Sequence, residues 1–152
     1  MADVSAHARS FEELRPAVLV RLMEVRASLD HGLARLDDDA ARGQLDAVLD
    51  HVQAFLATGD RTPLRAFLRG FLAVRAAEGL AAENLLHTVV AIGDVCVQVI
   101  HRELGVAPAA SELAAALSRA TAACTRQVAE LIADELARRL AQREQLLDGG
   151  AP

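Results

Sequence analysis

Apolar residues recur every three or four positions along most of the chain, and this spacing predicts α-helices. Ser10 followed by Glu13 is a capping box that predicts the start of a first helix. Pro16 either bends the first turns of this helix or marks its true first turn, where proline is tolerated. Gly32 predicts the end of the helix near Asp30. Its predicted apolar face carries Leu14, Val18, Leu22, Val25 and Leu29.

Two further helices are predicted from start and stop signals. The acidic run Asp37-Asp38-Asp39 supplies an N-cap for a helix over about 40–57, and Gly59 ends that helix. Thr62 and Pro63 predict the start of a third helix, which runs until Gly79 interrupts it. The packed centre where these two helices meet is predicted at three of the four phenylalanines, Phe55, Phe67 and Phe71.

The most apolar predicted helix spans about 82–104 and is hydrophobic around most of its circumference. Such a helix is central in a fold or lies in an oligomer interface. Gly105 and Pro108 separate it from a last helical run over about 111–147, which would be roughly 55 Å long at 1.5 Å per residue. Because that length exceeds the width of a small domain, the run either breaks or projects from the body and pairs with a copy of itself. The sequence favours projection at the far end, because one apolar stripe continues only as far as Leu131, while the segment 137–147 carries Arg138, Arg139, Arg143 and Glu144.

These elements predict an all-α, single-domain bundle of about five to six helices with a long C-terminal helix. The predicted domain spans 10–147, with a flexible N-terminus over 1–9 and a flexible tail over 148–152. A chain of 152 residues is the usual size of one domain.

Composition narrows the classes of function. The net charge of −5 opposes the phosphate backbone, and Trp and Tyr are absent where base-stacking platforms need them, so nucleic-acid binding is not expected. No positively charged start leads into an apolar run, and polar residues interrupt the apolar stretch 85–100, so neither a signal peptide nor a membrane span is predicted. We therefore expect a cytoplasmic protein.

The sequence contains none of the motifs that would indicate catalysis. It has no Gly-rich phosphate loop, no His-Glu-x-x-His motif, no Glu-x-x-His pair of a di-iron bundle and no serine in a nucleophile elbow. We therefore predict no catalytic residue, no metal site and no cofactor. Cys96 and Cys124 each fall on an apolar helical face, where a buried thiol behaves as a small hydrophobic group.

One polar seam follows the predicted helix over 82–104 and is formed by His87, Asp94, Gln98 and His101. It is either the wall of a ligand-binding or proton-sensing site or the narrow solvent-facing stripe of a central helix. The second interpretation is favoured because His87 and Asp94 lie two turns apart, roughly 10 Å, and do not chelate one ion unaided.

A row of arginines lies along the third predicted helix at Arg61, Arg65 and Arg69. The three side chains stack one turn apart, so they could dock an acidic partner surface. The alternative is a solvated face balanced by Asp46 and Asp50 on the neighbouring helix, and this alternative is favoured.

Four short segments in this pattern are Gly59-Asp60, Leu64-Arg65-Ala66-Phe67-Leu68, Arg75-Ala76-Ala77-Glu78-Gly79-Leu80 and Glu83-Asn84-Leu85-Leu86. Together they resemble the amino-terminal sensory domains of the RsbR-type stressosome co-antagonist family, over roughly 11–147. Those domains look like globins that have lost their haem. The family tends to place a small hydroxyl residue after the Gly-Leu turn, where this sequence has Ala81 and Ala82. Its phosphorylatable threonines belong to a second domain, so no phosphorylation site is carried over to this chain.

The resemblance implies a globin-like helical fold, dimerisation and a regulatory role in stress or signal transduction through a protein partner. Two other classes stay open on the residues themselves. A haem or small-molecule sensor would have a pocket under the helix over 82–104, with His87 best placed as the proximal ligand. A histidine phosphotransfer bundle would need an exposed histidine with a basic neighbour and a small residue one turn later. His51 is followed by Val52, Phe55 and Leu56, and His87 by Val90 and Ala91, so neither environment suits a phosphoryl acceptor.

Overall fold

The computed structural model describes residues 4–79 and 81–149, which form six helices and contain no strand. The predicted all-α class with a long last helix is confirmed. The helices, in chain order, are α1 Val4–Leu29, α2 His31–Arg35, α3 Asp38–Thr58, α4 Thr62–Ala77, α5 Ala82–Leu104 and α6 Pro108–Asp148.

Helix α1 begins earlier than its sequence signals predict. It starts at Val4 rather than at Ser10, so most of the predicted flexible segment 1–9 is helical, while residues 1–3 lie outside the described part. Ala8 and Phe11 are both buried in the core. Burial of their side chains stabilises the additional turns, which helix caps alone do not specify. Pro16 therefore lies inside the helix and does not mark its first turn.

Most other helix ends follow the predicted local chemistry. The Asp37 side chain accepts a hydrogen bond from the Ala40 backbone N–H at 2.8 Å and caps α3. Gly59 ends α3 in the left-handed region, with φ of +68°. The predicted bounds of α5 are confirmed at both ends. The short helix α2 was not predicted, and its N-cap is Asp30.

The core consists of two hydrophobic clusters. The larger cluster joins α1, α3, α5 and the first half of α6. The smaller one joins α4 to the start of α5 and the middle of α6. Phe55 of α3 and Phe67 and Phe71 of α4 all pack against the smaller cluster, but they are only partly buried. The fully buried phenylalanine is Phe11 of α1, which belongs to the larger cluster.

Helix α5 is the central helix, which confirms one of the two interpretations of its apolar composition. It packs mainly against α6 and α1. By length and hydropathy alone, its segment Glu83–Leu104 could cross a membrane, but 44% of the most apolar window is already buried inside the protein. Its large apolar side chains that remain exposed are Val90 and Leu104.

Helix α6 is continuous over 41 residues, which gives it a length of about 60 Å. Its inner face is buried from Ala110 to Leu131, against α5 and α4. From Leu136 onward every described residue is exposed. The last run therefore does not break, and its C-terminal end extends beyond the helices that cover its first half.

Gly93 allows α5 and α6 to approach closely. A Cβ atom at this position would lie 2.3 Å from Oγ1 of Thr121 and 2.8 Å from its Cγ2. We expect Gly93→Ala to lower the free energy of unfolding by about 1–3 kcal/mol in urea denaturation, as overpacking does. Adding Thr121→Ala should recover part of this loss. Gly70→Ala is the control, because nothing lies within 4 Å of its Cβ position and it should stabilise α4 by about 0.5–1 kcal/mol. Equal effects of the two glycine substitutions would contradict the close approach.

Candidate functional site

The polar seam of α5 faces outward. His87, Asp94, Gln98 and His101 are all exposed, and the helix brings them to one side. In residues 4–79 and 81–149 no three His, Cys, Asp or Glu side chains are grouped so that they could hold a metal ion. The seam therefore lies where a solvent-facing stripe of a central helix is expected.

The arginine row on α4 has different partners from those predicted. Nη1 of Arg65 lies 3.4 Å from Oε2 of Glu130, and Nη2 lies 3.9 Å from Oδ2 of Asp134, both on α6. Arg61 and Arg69 are exposed. Such surface pairs contribute little to stability.

The predicted counter-charges of this row belong to another contact. Asp46 and Asp50 pair with Arg15 of α1, at 3.1 and 2.6 Å. The prediction that they balance the α4 row is wrong, because the face of α3 that carries them packs on α1. The sequence pattern predicts that these two carboxylates share one face of α3, but it does not predict which helix that face contacts.

A buried ion pair joins α4 to the junction between α1 and α2. Nε of Arg75 lies 3.4 Å from Oδ2 of Asp30, and the two side chains are 5% and 3% exposed. Arg75 also contacts Glu78 through Nη1 at 2.9 Å and donates from Nη2 to Oε1 of Gln44 at 3.1 Å. Its guanidinium lies over the ring of Phe71, 4.6 Å from the centroid. Arg75 therefore connects its own helix to both the α1–α2 junction and α3.

Asp30 is held at this junction by both of its carboxylate oxygens. Oδ1 accepts hydrogen bonds from the backbone N–H groups of Gly32 at 2.5 Å and Leu33 at 3.1 Å, which caps α2. Oδ2 lies near both Arg75 and the buried hydroxyl of Thr88 on α5. Gly32 has no side chain here, and a Cβ atom would lie 2.4 Å from Nη1 of Arg75. The junction is thus closely packed as well as charged.

An apolar cavity of about 60 Å³ lies beneath α5, between the two hydrophobic clusters. Side chains from α3, α4, α5 and α6 line it, and none of them is a histidine or carries a charge. His87 of the predicted sensor site is exposed and does not line the cavity. His51 belongs to α3 and is half-buried; its ring stacks on Phe67 of α4 at 4.2 Å between centroids, and its Nδ1 contacts the Ala47 carbonyl.

Both cysteines line this cavity, which confirms their predicted place on apolar faces. Burial raises the pKa of the Cys96 thiol to about 12 and that of Cys124 to about 11. Because a thiolate, and not a thiol, is the reactive nucleophile, neither side chain is activated for chemistry.

A second and larger depression runs along the surface between α4 and α6. Its volume is about 820 Å³, and apolar side chains such as Leu72, Ala76 and Leu131 line it together with charged ones such as Arg69 and Asp134. The groove continues onto the exposed C-terminal part of α6 at Leu136.

Comparisons with protein-family models, curated proteins and solved structures found no match to this chain.

Proposed function

We propose that this chain is a non-catalytic regulatory module that acts as a homodimer and passes a signal to a protein partner. The observation that carries the proposal is the C-terminal part of α6, whose leucines are exposed to solvent. Leu136 and Leu140 are 55% and 59% exposed, and Leu146 and Leu147 are 77% and 79% exposed. Exposed apolar residues grouped in this way are typical of an association surface.

The spacing of these leucines suits helix pairing. Leu136, Leu140 and Leu147 are separated by four and seven residues, so they share one face of the helix. The part of α6 beyond residue 135 is about 13 residues long, and a helix of that length is only marginally stable alone in water. Pairing with a second copy would bury the leucine face and stabilise these turns.

The charges on this part of α6 allow two copies to meet. Within residues 135–148, Arg138, Arg139 and Arg143 are balanced by Glu135, Glu144 and Asp148, so this stretch has no net charge that would repel its own copy. Both Arg138 and Arg139 form ion pairs with Glu135 within the helix. The proposed dimer face therefore needs no oppositely charged partner.

The resemblance to RsbR-type sensory domains supports the same function, because those domains are dimeric regulators. On this basis we propose a role in stress or signal transduction, a cytoplasmic location and a regulatory protein as partner. A surface of net negative charge gives no reason to propose nucleic acid as a partner.

The cavity beneath α5 favours a small-molecule sensor as the second candidate function. It lies under α5, the helix beneath which a sensor would have its pocket according to the sequence. The haem form of this candidate lacks support, because no histidine lines the cavity and about 60 Å³ is far too small for a porphyrin.

The dimer is tested by light scattering after size exclusion. We expect the wild-type chain to have the mass of a dimer at micromolar concentration. Leu140→Glu combined with Leu147→Glu should weaken association by about 100-fold or more, because each charge would replace a buried apolar anchor. Val106→Glu is the matched control, since Val106 is 95% exposed and precedes α6 at its opposite end.

A wild-type monomer at that concentration would contradict the proposal. Equal loss of dimer in the Val106→Glu control would place the interface elsewhere. Circular dichroism of each variant establishes whether the body of the domain is folded.

A further inference from the structure

We infer that the cavity beneath α5 is a binding site for one small, uncharged, apolar molecule of about two or three heavy atoms, the class of dissolved gases and the shortest hydrocarbons. This inference does not rest on the proposed dimer, because every lining residue belongs to one chain.

The size of the cavity limits the occupant. Its volume of about 60 Å³ is less than half that of a roughly 150 Å³ protein cavity known to take benzene or xenon. An aromatic ring is therefore too large, whereas a xenon atom or a molecule of two or three heavy atoms can be accommodated.

The lining favours an apolar occupant over water. A buried water molecule needs about two to four polar partners. Apart from two thiols, the polar groups of the lining side chains are the hydroxyls of Thr88 and Thr121. The Thr88 hydroxyl already lies 2.9 Å from the Leu29 carbonyl and 2.8 Å from the Asn84 carbonyl, which occupy its single proton. The Thr121 hydroxyl is the second polar group, and the rest of the lining is hydrocarbon and sulfur, which offers van der Waals contact and weak hydrogen bonding at most.

The position of the cavity connects occupancy to the packing of α4. The wall formed by α5 and α6 is fixed by the close approach of Gly93 to Thr121. The opposite wall is formed by α4, through Leu64, Phe67 and Leu68 among others. A molecule between these walls adds contacts to both, so binding should stabilise the attachment of α4 to the rest of the domain.

Thr88 links this cavity to the buried ion pair. Its side chain lines the cavity, while its hydroxyl lies 3.4 Å from Oδ2 of Asp30. Asp30 in turn pairs with Arg75 of α4. Helix α4 is therefore held to the junction of α1 and α2 by the ion pair, and the occupant of the cavity would hold it to α5 and α6.

Xenon is the probe for this site. The full chain, labelled with ¹³C at its methyl groups, is titrated with xenon pressure and followed by NMR. We expect saturable shifts at the methyl groups of cavity residues on three helices, Val48, Leu64, Leu68 and Ile92, and an increase in Tm with xenon pressure. Methyl groups of Val20 and Val106, which are exposed, should not show saturable shifts.

A matched pair of variants tests the location. Ala120→Val adds two methyl groups at a residue that lines the cavity and should abolish both the shifts and the increase in Tm. Ala123→Val makes the same change one turn further along α6, at a buried residue that does not line the cavity, and should leave both responses intact. If Ala120→Val does not fold, Cys124→Met fills the cavity from another position and replaces it.

Three results would overturn the inference. These are the absence of saturable shifts at the cavity methyl groups, their persistence in the filled variant, and their loss in Ala123→Val with its fold intact. None of these results depends on whether the chain is a dimer, so failure here is distinct from failure of the proposed function.

Discussion

Raising the pH from about 9 to about 11 is expected to lower the free energy of unfolding by about 4 kcal/mol. The groups responsible are the thiols of Cys96 and Cys124. Burial raises their pKa from an ordinary value of 9.0 to about 12 and about 11. Below the pKa of the unfolded chain both states hold the proton, and the stabilisation is fully present. As the pH rises, only the unfolded chain releases its thiol protons, so stability is lost progressively towards the folded pKa values.

The composition of the chain makes this effect unusually easy to isolate. Every one of its 16 basic residues is arginine, and it has no lysine and no tyrosine. Carboxylates and histidines titrate well below this range, and arginine titrates above about pH 12. The two cysteines are therefore the only side chains expected to change charge between about pH 9 and pH 11.

Urea denaturation at a series of pH values, under reducing conditions, measures the effect. The double variant Cys96→Ala, Cys124→Ala is the control. It should be less stable than the wild type near pH 8, because it enlarges a cavity, but its stability should change little from about pH 9 to pH 11. If the unfolding free energy of the wild type changes as little with pH as that of the double variant, the thiols are not buried as described. An equal decline in both proteins would assign the decline to another cause.

Much of the fold could be predicted because its helix ends depend on neighbouring residues. The cap at Asp37 and the stop at Gly59 each act within one turn of the helix they limit. The start of α1 could not be predicted in this way, since the burial of Phe11 depends on helices that follow much later in the chain. Local signals therefore determine where a helix can end, whereas tertiary packing determines how far it extends.

The apolar helix α5 shows the limit of composition as a guide to function. Its hydrophobic surface suggested either a central position or an interface, and its position between α6 and α1 accounts for most of it. The exposed leucines lie instead on the C-terminal part of α6, beyond the apolar stripe that the sequence pattern follows as far as Leu131. Which apolar faces stay unpaired depends on how long the neighbouring helices are.

The buried junction was missed because its two charges are far apart in the sequence. Asp30 and Arg75 are separated by 45 positions (75 minus 30), and no local pattern connects them. One signal was present: Arg75 continues the three- and four-residue spacing of Leu64, Leu68 and Phe71, so it falls near the apolar face of α4. A charged residue at a core position indicates a buried partner, even when the sequence does not identify that partner.

Removing Arg75 from this pair is expected to lower the free energy of unfolding by about 3–5 kcal/mol, because the Asp30 carboxylate would stay buried without a counter-ion. Removing the charge of Asp30 should cost less, because Arg75 keeps its ion pair with Glu78. Two substitutions test this with little change of shape. Arg75→Met keeps an unbranched side chain over Phe71. Asp30→Asn keeps an oxygen that can still cap α2.

The pair is best measured by a double-mutant cycle in urea. The double variant Asp30→Asn, Arg75→Met should be less destabilised than the sum of the single variants, since no unpaired charge is then left in the core. Arg26→Met is the control: it removes a 2.6 Å ion pair with Asp38, which is 80% exposed, and should cost less than about 1 kcal/mol. Two results would contradict this role of the buried pair in holding α4 to the junction of α1 and α2. One is that the losses of unfolding free energy in the single variants add up to the loss in the double variant. The other is that Arg75→Met costs no more unfolding free energy than Arg26→Met.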